Sequence, residues 1–359
     1  MGKVLFVAQF PPPIHGLSKA VETLYVSPLN KKFSFSAINI TNNKLFFSNL
    51  LKLLFSGSDL YYFTISQTKG GNLRDLIFFA ILRLKRGKTL IHLHGGYYRT
   101  LIENDCGNFQ RKLNYKAMKK ISGAIILGKS LEYIFDGLVT PDKVFEVPNC
   151  VDDQYLIPQG KFNDKLQAIK AGDKIKVLYL SNFIETKGYK EVLYLAKMAK
   201  EAAAGFEFHF AGKFFESKDE EFFTSYVKEH NLHGYVHYHG IVSGQAKTDL
   251  LESCHAFTLL TRYPNEGQPI SILEAMGNGM AVITTNHAGI PDIVQNGTNG
   301  LVVDKNAIDI NVLYKYITEI DGNRDTLVKI LENNYSSVLS NYTEKQYIGN
   351  MEAIFAKLS

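Results

Sequence analysis

Cysteine is scarce. The three residues, Cys106, Cys150 and Cys254, are far apart and odd in number. Neither a disulfide framework nor a cysteine metal site follows, and a reducing cytoplasm fits best. No apolar run reaches the roughly 18 residues that cross a bilayer. The opening MGKVLFVAQFPPP has one lysine and too short an apolar run for a secretory signal. The dinucleotide fingerprint G-x-G-x-x-G is missing, as are fixed-period repeats and low-complexity tracts.

What is present is a globular composition. Hydrophobic residues make up 45% and charged residues 21% of 359. That excludes a disordered chain and suits two domains with separate cores. Charge is uneven. Residues 1–165 hold 22 Lys+Arg against 12 Asp+Glu, net +10, and the remainder holds 18 against 23, net −5. The first half is therefore expected to meet something anionic, either nucleic acid or a membrane surface.

Short β-branched or aromatic runs recur, each followed by helical periodicity. In the first half they are 3–9, 60–65, 89–95, 123–128 and 143–149; in the second, 176–182, 207–213, 236–240, 256–260 and 280–285. Alternation of this kind predicts α/β folding with parallel, doubly wound Rossmann-like sheets, one per half. The polar stretch 155–174 is the expected linker. The domains are expected over 1–165 and 166–340, with 341–359 a terminal helix packing back on the first.

Ligands of such sheets bind beyond the carboxyl ends of the strands. Gly16 and Ser18 follow the first run and precede a helix. They suit close approach to a phosphate, or a tight turn capped by Ser18. In HLHGG, alternation puts His92 and His94 on one face, with His94 at the strand's end; either substrate contact or a rim histidine fits. The pair lacks a third metal ligand nearby in sequence. Lys187-Gly188 opens a helix after the run at 176–182 and suits a diphosphate, or is a solvated lysine. Backbone at 241–244 or 212–215 could border a flat base, or only connect elements.

The stretch Glu266-GQPISIL-Glu274-AM is more specific. Pro269 suits a first helical turn. Gly267 and Gln268 then present N–H groups at the helix start. Glu274 stands between apolar Leu273 and Ala275, odd company for a solvated carboxylate, and ionised carboxylates suit vicinal hydroxyls.

At these residues the chain resembles the retaining family 4 glycosyltransferases of the GT-B fold, whose hallmark is two glutamates separated by seven residues. GNGMAVITTNHAGIPDIVQNGTNGLVV continues the likeness, with Gly279, Gly289 and Gly300. VPNCVDD (147–153) resembles the segment near the interdomain linker, with Cys150 where glycine is usual. The resemblance implies two Rossmann-like domains facing each other across a cleft. It implies that Glu274 binds donor ribose hydroxyls. Glu266, with the backbone of Gly267 and Gln268 beside Pro269, would contact the donor sugar. Lys187 would hold the diphosphate, Gly16 would allow close approach, His94 would help at the reacting centre, and Ile241 and Val242 would border the base. An arginine is common five residues before the lysine; here that residue is Asn182.

Departure of a nucleoside diphosphate builds charge on the β-phosphate, which cations and aimed N–H groups stabilise. No metal is implied, and no Asp-x-Asp occurs. The expected co-substrate is a UDP-sugar or GDP-sugar. The segment 42–58 is apolar at helical spacing, with Lys44 and Lys52, and 109–122 is basic with apolar residues interleaved; both suit a membrane interface, or else the first is a core helix and the second a solvated face. A lipid-linked saccharide acceptor is thus favoured, with peripheral attachment to the inner face of the cytoplasmic membrane. A nucleotide-sugar epimerase and a two-lobed sugar-binding protein remain alternatives. Nucleic acid is disfavoured, because no recognised motif accompanies the charge.

Overall fold

A computed structural model describes residues 2–13 and 16–359. Internal contacts divide the chain into two compact units. Unit 1 comprises Met1–Cys150, Pro264–Gln268 and Glu344–Ser359; unit 2 comprises Val151–Tyr263 and Pro269–Thr343.

Unit 1 contains β1 (Gly2–Ala8), β2 (Phe33–Asn39), β3 (Leu60–Thr64), β4 (Lys88–His92), β5 (Gly123–Ile126) and β6 (Val144–Glu146). They form one parallel sheet in the order β2-β1-β3-β4-β5-β6. Unit 2 contains β7 (Lys176–Leu180), β8 (Glu207–Ala211), β9 (Val236–Tyr238), β10 (Ala256–Leu259), β11 (Ala281–Thr285) and β12 (Gly300–Val303). Its parallel order is β12-β11-β10-β7-β8-β9. Both sheets are α/β with intervening helices, as the alternating runs imply.

The inner strands are apolar on both faces. Val4 to Ala8 are all buried, as are Leu60 to Thr64. Parallel sheets covered by helices on both sides produce such continuous runs. The edge strands β2 and β12 were not among the expected strands. β2 reads FSFSAIN and is largely exposed, so it lacks a continuous run. β12 is four residues long and begins at a glycine.

The stretch 155–174, read as a linker, carries a helix of unit 2, Gln159–Lys170. Its buried Phe162, Leu166 and Ile169 recur at helical spacing beneath a polar surface. The chain enters unit 2 earlier, at Val151.

The last helix, Glu344–Leu358, belongs to unit 1. Its Phe355 is fully buried and meets Phe6, Phe33, Phe35 and Tyr62 with ring centroids 5.8 to 6.3 Å apart. Edge-on geometry among these rings favours each contact beyond simple burial. Truncation there removes one large side chain from the middle of an aromatic cluster. Phe355→Ala is expected to destabilise unit 1 by about 3–5 kcal/mol. Urea unfolding of the full chain checks this, and a loss under about 1 kcal/mol would mean that the last helix does not hold the core.

Candidate active site

In unit 2 the strand order reverses at β7, which lies between β8 and β10. A crevice forms at the carboxyl ends where order reverses. Two loops meet there. The loop after β7 contains the turn Glu185–Lys187 and Gly188, and the helix Tyr189–Glu201 starts directly behind. The loop after β10 runs through Leu260 to Tyr263.

Gly188 makes this approach feasible. Its φ is +83°, and a Cβ there would lie 2.6 Å from the Leu260 carbonyl oxygen. The Arg262 N–H then donates to the Thr186 carbonyl at 2.7 Å. Two cations follow from this join. Lys187 Nζ lies 5.2 Å from the Tyr263 ring centroid. Arg262 pairs with Glu191 on the helix, Nη2 to Oε1 2.7 Å. Asn182 is exposed at the end of β7, and the neighbouring loop brings the Arg262 backbone beside Thr186. Arg262 was missed because no motif surrounds it and it is remote from Lys187 in sequence.

Glu274 occupies the helix Ile270–Gly277 and is buried. Pro269 is the cap residue before that helix, one place earlier than the first turn expected. Glu274 Oε1 accepts from Lys247 Nζ at 2.6 Å, and the Lys247 ammonium lies 4.1 Å from the Tyr155 ring centroid. Burial raises the Glu274 carboxyl above its usual range, while Lys247 opposes the rise. Lys247 sits on the helix Gly244–Ser253, which follows directly on Ile241 and Val242. The Gly244 N–H donates to the Tyr155 hydroxyl at 3.3 Å. Ile241 is exposed, and Val242 packs partly on the core. Glu274, Lys247, Tyr155 and the loop after β9 therefore form one cluster.

In unit 1 the structure brings His94 and the loop Pro264–Gln268 together. A Cβ on Gly267 would lie 2.7 Å from the His94 carbonyl oxygen and 2.9 Å from Gly95 Cα. A Cβ on Gly95 would in turn meet the Asn265 carbonyl at 2.6 Å. Gln268 locks the loop. Its Oε1 accepts from the Asn149 N–H, its carbonyl accepts from Asn149 Nδ2, both at 2.8 Å, and its Nε2 donates to the Leu127 carbonyl at 3.1 Å. The Gln268 side chain thus acts as a clamp on VPN (147–149). Glu266 in the same loop is buried.

His92 and His94 do share a face, with rings stacked at 3.8 Å between centroids. The Tyr62 hydroxyl lies 2.7 Å from His92 Nδ1. Burial, then the adjacent His94, pushes His92 well below its usual pKa, so His94 rests on a neutral ring. Gly16 is exposed and opens the helix Gly16–Val26 after β1. Residue Ser18 donates to the Pro13 carbonyl at 2.9 Å, holding that turn.

The Glu274–Lys247 pair gives a pH-dependent expectation. Removing one partner of a buried pair strands the other charge. Lys247→Met is expected to destabilise the protein by about 3–5 kcal/mol near neutral pH. The Glu274 carboxyl is already raised in the folded state, and loss of Lys247 raises it further. A raised carboxyl favours folding at low pH and loses that contribution as pH rises through its folded pKa. The gap between variant and wild type therefore narrows on acidification. Urea unfolding from pH 8 to pH 5 checks this; a constant gap would show that the pair is not electrostatically important.

Residues 161–337 match the family model described as glycosyl transferases group 1. A putative colanic acid biosynthesis glycosyltransferase, WcaL of Salmonella typhimurium, is 22% identical over 185 residues, covering 50% of this chain and 44% of WcaL. The chain thus spans less than half the length of that relative. An uncharacterized glycosyltransferase of Methanocaldococcus jannaschii, MJ1069, is 25% identical over 295 residues, 78% of this chain and 71% of its own. Anabaena HepE, solved in complex with UDP-glucose, superposes with a TM-score of 0.75 over all of both chains at 14% identity. The chain has the GT-B fold, and its residues 161–337 are similar to the glycosyl transferases group 1 family.

Proposed function

We propose that the protein is a retaining glycosyltransferase. It moves a sugar from a nucleoside-diphosphate sugar, a UDP-sugar or GDP-sugar, to a lipid-linked saccharide in polysaccharide assembly. The observation that carries this reading is the meeting of Lys187, Arg262 and a helix start where the strand order of unit 2 reverses. The names of the relatives support it, as does the UDP-glucose held by HepE.

The roles follow from charge and placement. Lys187 and the start of the helix Tyr189–Glu201 take the diphosphate, and Arg262 leaves Glu191 to join them. Positive charge there stabilises the β-phosphate as the bond to the sugar breaks. Glu274 accepts from ribose hydroxyls, with Lys247 keeping it ionised. Ile241 and Val242 border the base. Glu266 and the Gly267 and Gln268 backbone contact the donor sugar; the Gln268 carbonyl is already taken by Asn149, so its N–H is the group offered. His94 serves the reacting centre, and Gly16 permits close approach. No step in this scheme needs a metal.

Glu274→Ala is expected to weaken nucleoside-diphosphate binding by about 1–3 kcal/mol, the worth of a charged hydrogen bond. Glu266→Ala is expected to slow transfer and leave that binding nearly intact. Calorimetry with UDP and GDP on both variants separates the roles. Equal loss of binding in both would overturn the division, and absence of binding by the wild type would overturn the function.

The membrane part of the proposal rests on unit 1. The helix Phe46–Phe55 exposes Phe47, Leu51, Leu54 and Phe55 and buries only Asn49 and Leu53. The alternative reading of this segment as a core helix does not describe it. A groove lined by Leu73, Ile77 and Leu113 is edged by Arg83, Lys116 and Lys120. Apolar side chains flanked by cations suit an anionic bilayer surface. The protein is expected to bind phosphatidylserine vesicles at low salt and to leave them at high salt. Changing Arg111, Lys112, Lys116, Lys119 and Lys120 to Glu should abolish binding in a flotation assay. A wild type that ignores such vesicles at low salt would exclude this surface role.

A further inference from the structure

A second cluster of chemistry lies on the sheet of unit 2, away from the carboxyl ends of its strands. His209 is in the middle of β8, and His237 is its register partner on β9, the edge strand. Their rings stack with centroids 4.9 Å apart. Glu207, two residues before His209, places its side chain on the same face. Its Oε2 is 3.7 Å from His209 Nε2. One ligand atom from each of the three side chains lies within 4.8 Å of the others.

Two neighbours orient these groups. His239 Nε2 is 2.9 Å from His209 Nδ1. Lys174 Nζ is 3.8 Å from Glu207 Oε1, the oxygen turned away from His209. His209 Nε2 itself is buried and has no hydrogen-bond partner. A buried polar atom left so is costly unless something else satisfies it. If Nδ1 donates its proton to His239, Nε2 carries the lone pair and faces Glu207 and His237. A partner on the far nitrogen is how ligating histidines are held in the required tautomer.

We propose that Glu207, His209 and His237 bind one divalent transition-metal ion of the zinc class, joining the edge strand β9 to β8. Two imidazoles and one carboxylate form a donor set suited to zinc, with a water as fourth ligand. Calcium and magnesium favour all-oxygen shells and are disfavoured here. Bonds of about 2.0–2.2 Å place tetrahedral ligand atoms roughly 3.3–3.5 Å apart. The Glu207–His209 separation is close to this already, and the His237 ring must rotate out of its stack to turn a nitrogen toward the ion. Lys174 and Lys176 oppose a cation, and Lys174 can remain on the outer carboxylate oxygen. β9 has only three residues, and among the described strands it pairs with β8 alone. The ion therefore secures the strand that leads into Ile241. It stands apart from the transfer chemistry, and its binding is measured without any donor.

Chelator-treated full-length protein, titrated with Zn²⁺ by calorimetry, is expected to take up one equivalent and to melt at higher temperature. Co²⁺ should give the visible absorption of a four- or five-coordinate site, and Mg²⁺ should have no effect. His237→Gln and Glu207→Gln should each weaken Zn²⁺ binding at least tenfold while leaving the metal-free melting temperature unchanged. The proposal is overturned if the wild type takes up no stoichiometric ion. It is equally overturned if both variants bind as the wild type does, since the ion would then sit elsewhere.

Discussion

The chemistry of unit 2 depends on how closely backbone can approach backbone at the carboxyl end of its sheet. Gly188 lets the loop after β7 rest on Leu260. Gly212, at the end of β8 with a φ of +146°, does the same for Ser181, whose carbonyl a Cβ would meet at 1.9 Å. The Gly212 N–H in turn donates to the Gly240 carbonyl at 2.8 Å. A side chain at either glycine would force the loops apart, and both sit where only glycine is unstrained. With the loops in contact, Lys187 and Arg262 share one location although they are far apart in sequence. The backbone contact fixes where both residues start.

Charge is also held in place by opposition. Arg262 faces Glu191, and Lys247 faces the buried Glu274. Buried ion pairs contribute little net stability, since desolvation offsets attraction. Their effect here is positional. An anionic ligand can draw Arg262 from a partner that is only partly buried. Glu274 differs, being more deeply buried and bound to a lysine that also packs on Tyr155. Its carboxylate is therefore held in one place.

Legibility in the sequence follows burial. Strands covered on both faces gave continuous apolar runs and were readable, as were the short edge strands β6 and β9, whereas β2, with polar residues interleaved, and β12, opening at a glycine, were not. The helix Gln159–Lys170 was hidden by its polar surface, although Phe162, Leu166 and Ile169 have helical spacing. The two glutamates stand out in the sequence by their spacing. Their partners do not: nothing local in sequence pairs Glu274 with Lys247 or brings Arg262 to Thr186. The histidines of β8 and β9 are visible as EFHF and VHYH, yet only strand register puts them side by side. Residues 14 and 15, beside Gly16, lie outside the described residues.

The spacing of the glutamates has a meaning that helix periodicity alone does not give. The chain leaves unit 2 after Tyr263 and returns at Pro269, so Glu266 belongs to unit 1 and Glu274 to unit 2. Each is anchored by its own unit. Glu266 is fixed by Gly267 against His94 and by Gln268 on Asn149, and Glu274 by Lys247. Five residues suffice for the excursion because Gly267 permits contact with backbone and Gln268 satisfies three polar groups at once. Two carboxylates eight residues apart are thereby set by separate scaffolds, and a change at one need not disturb the position of the other.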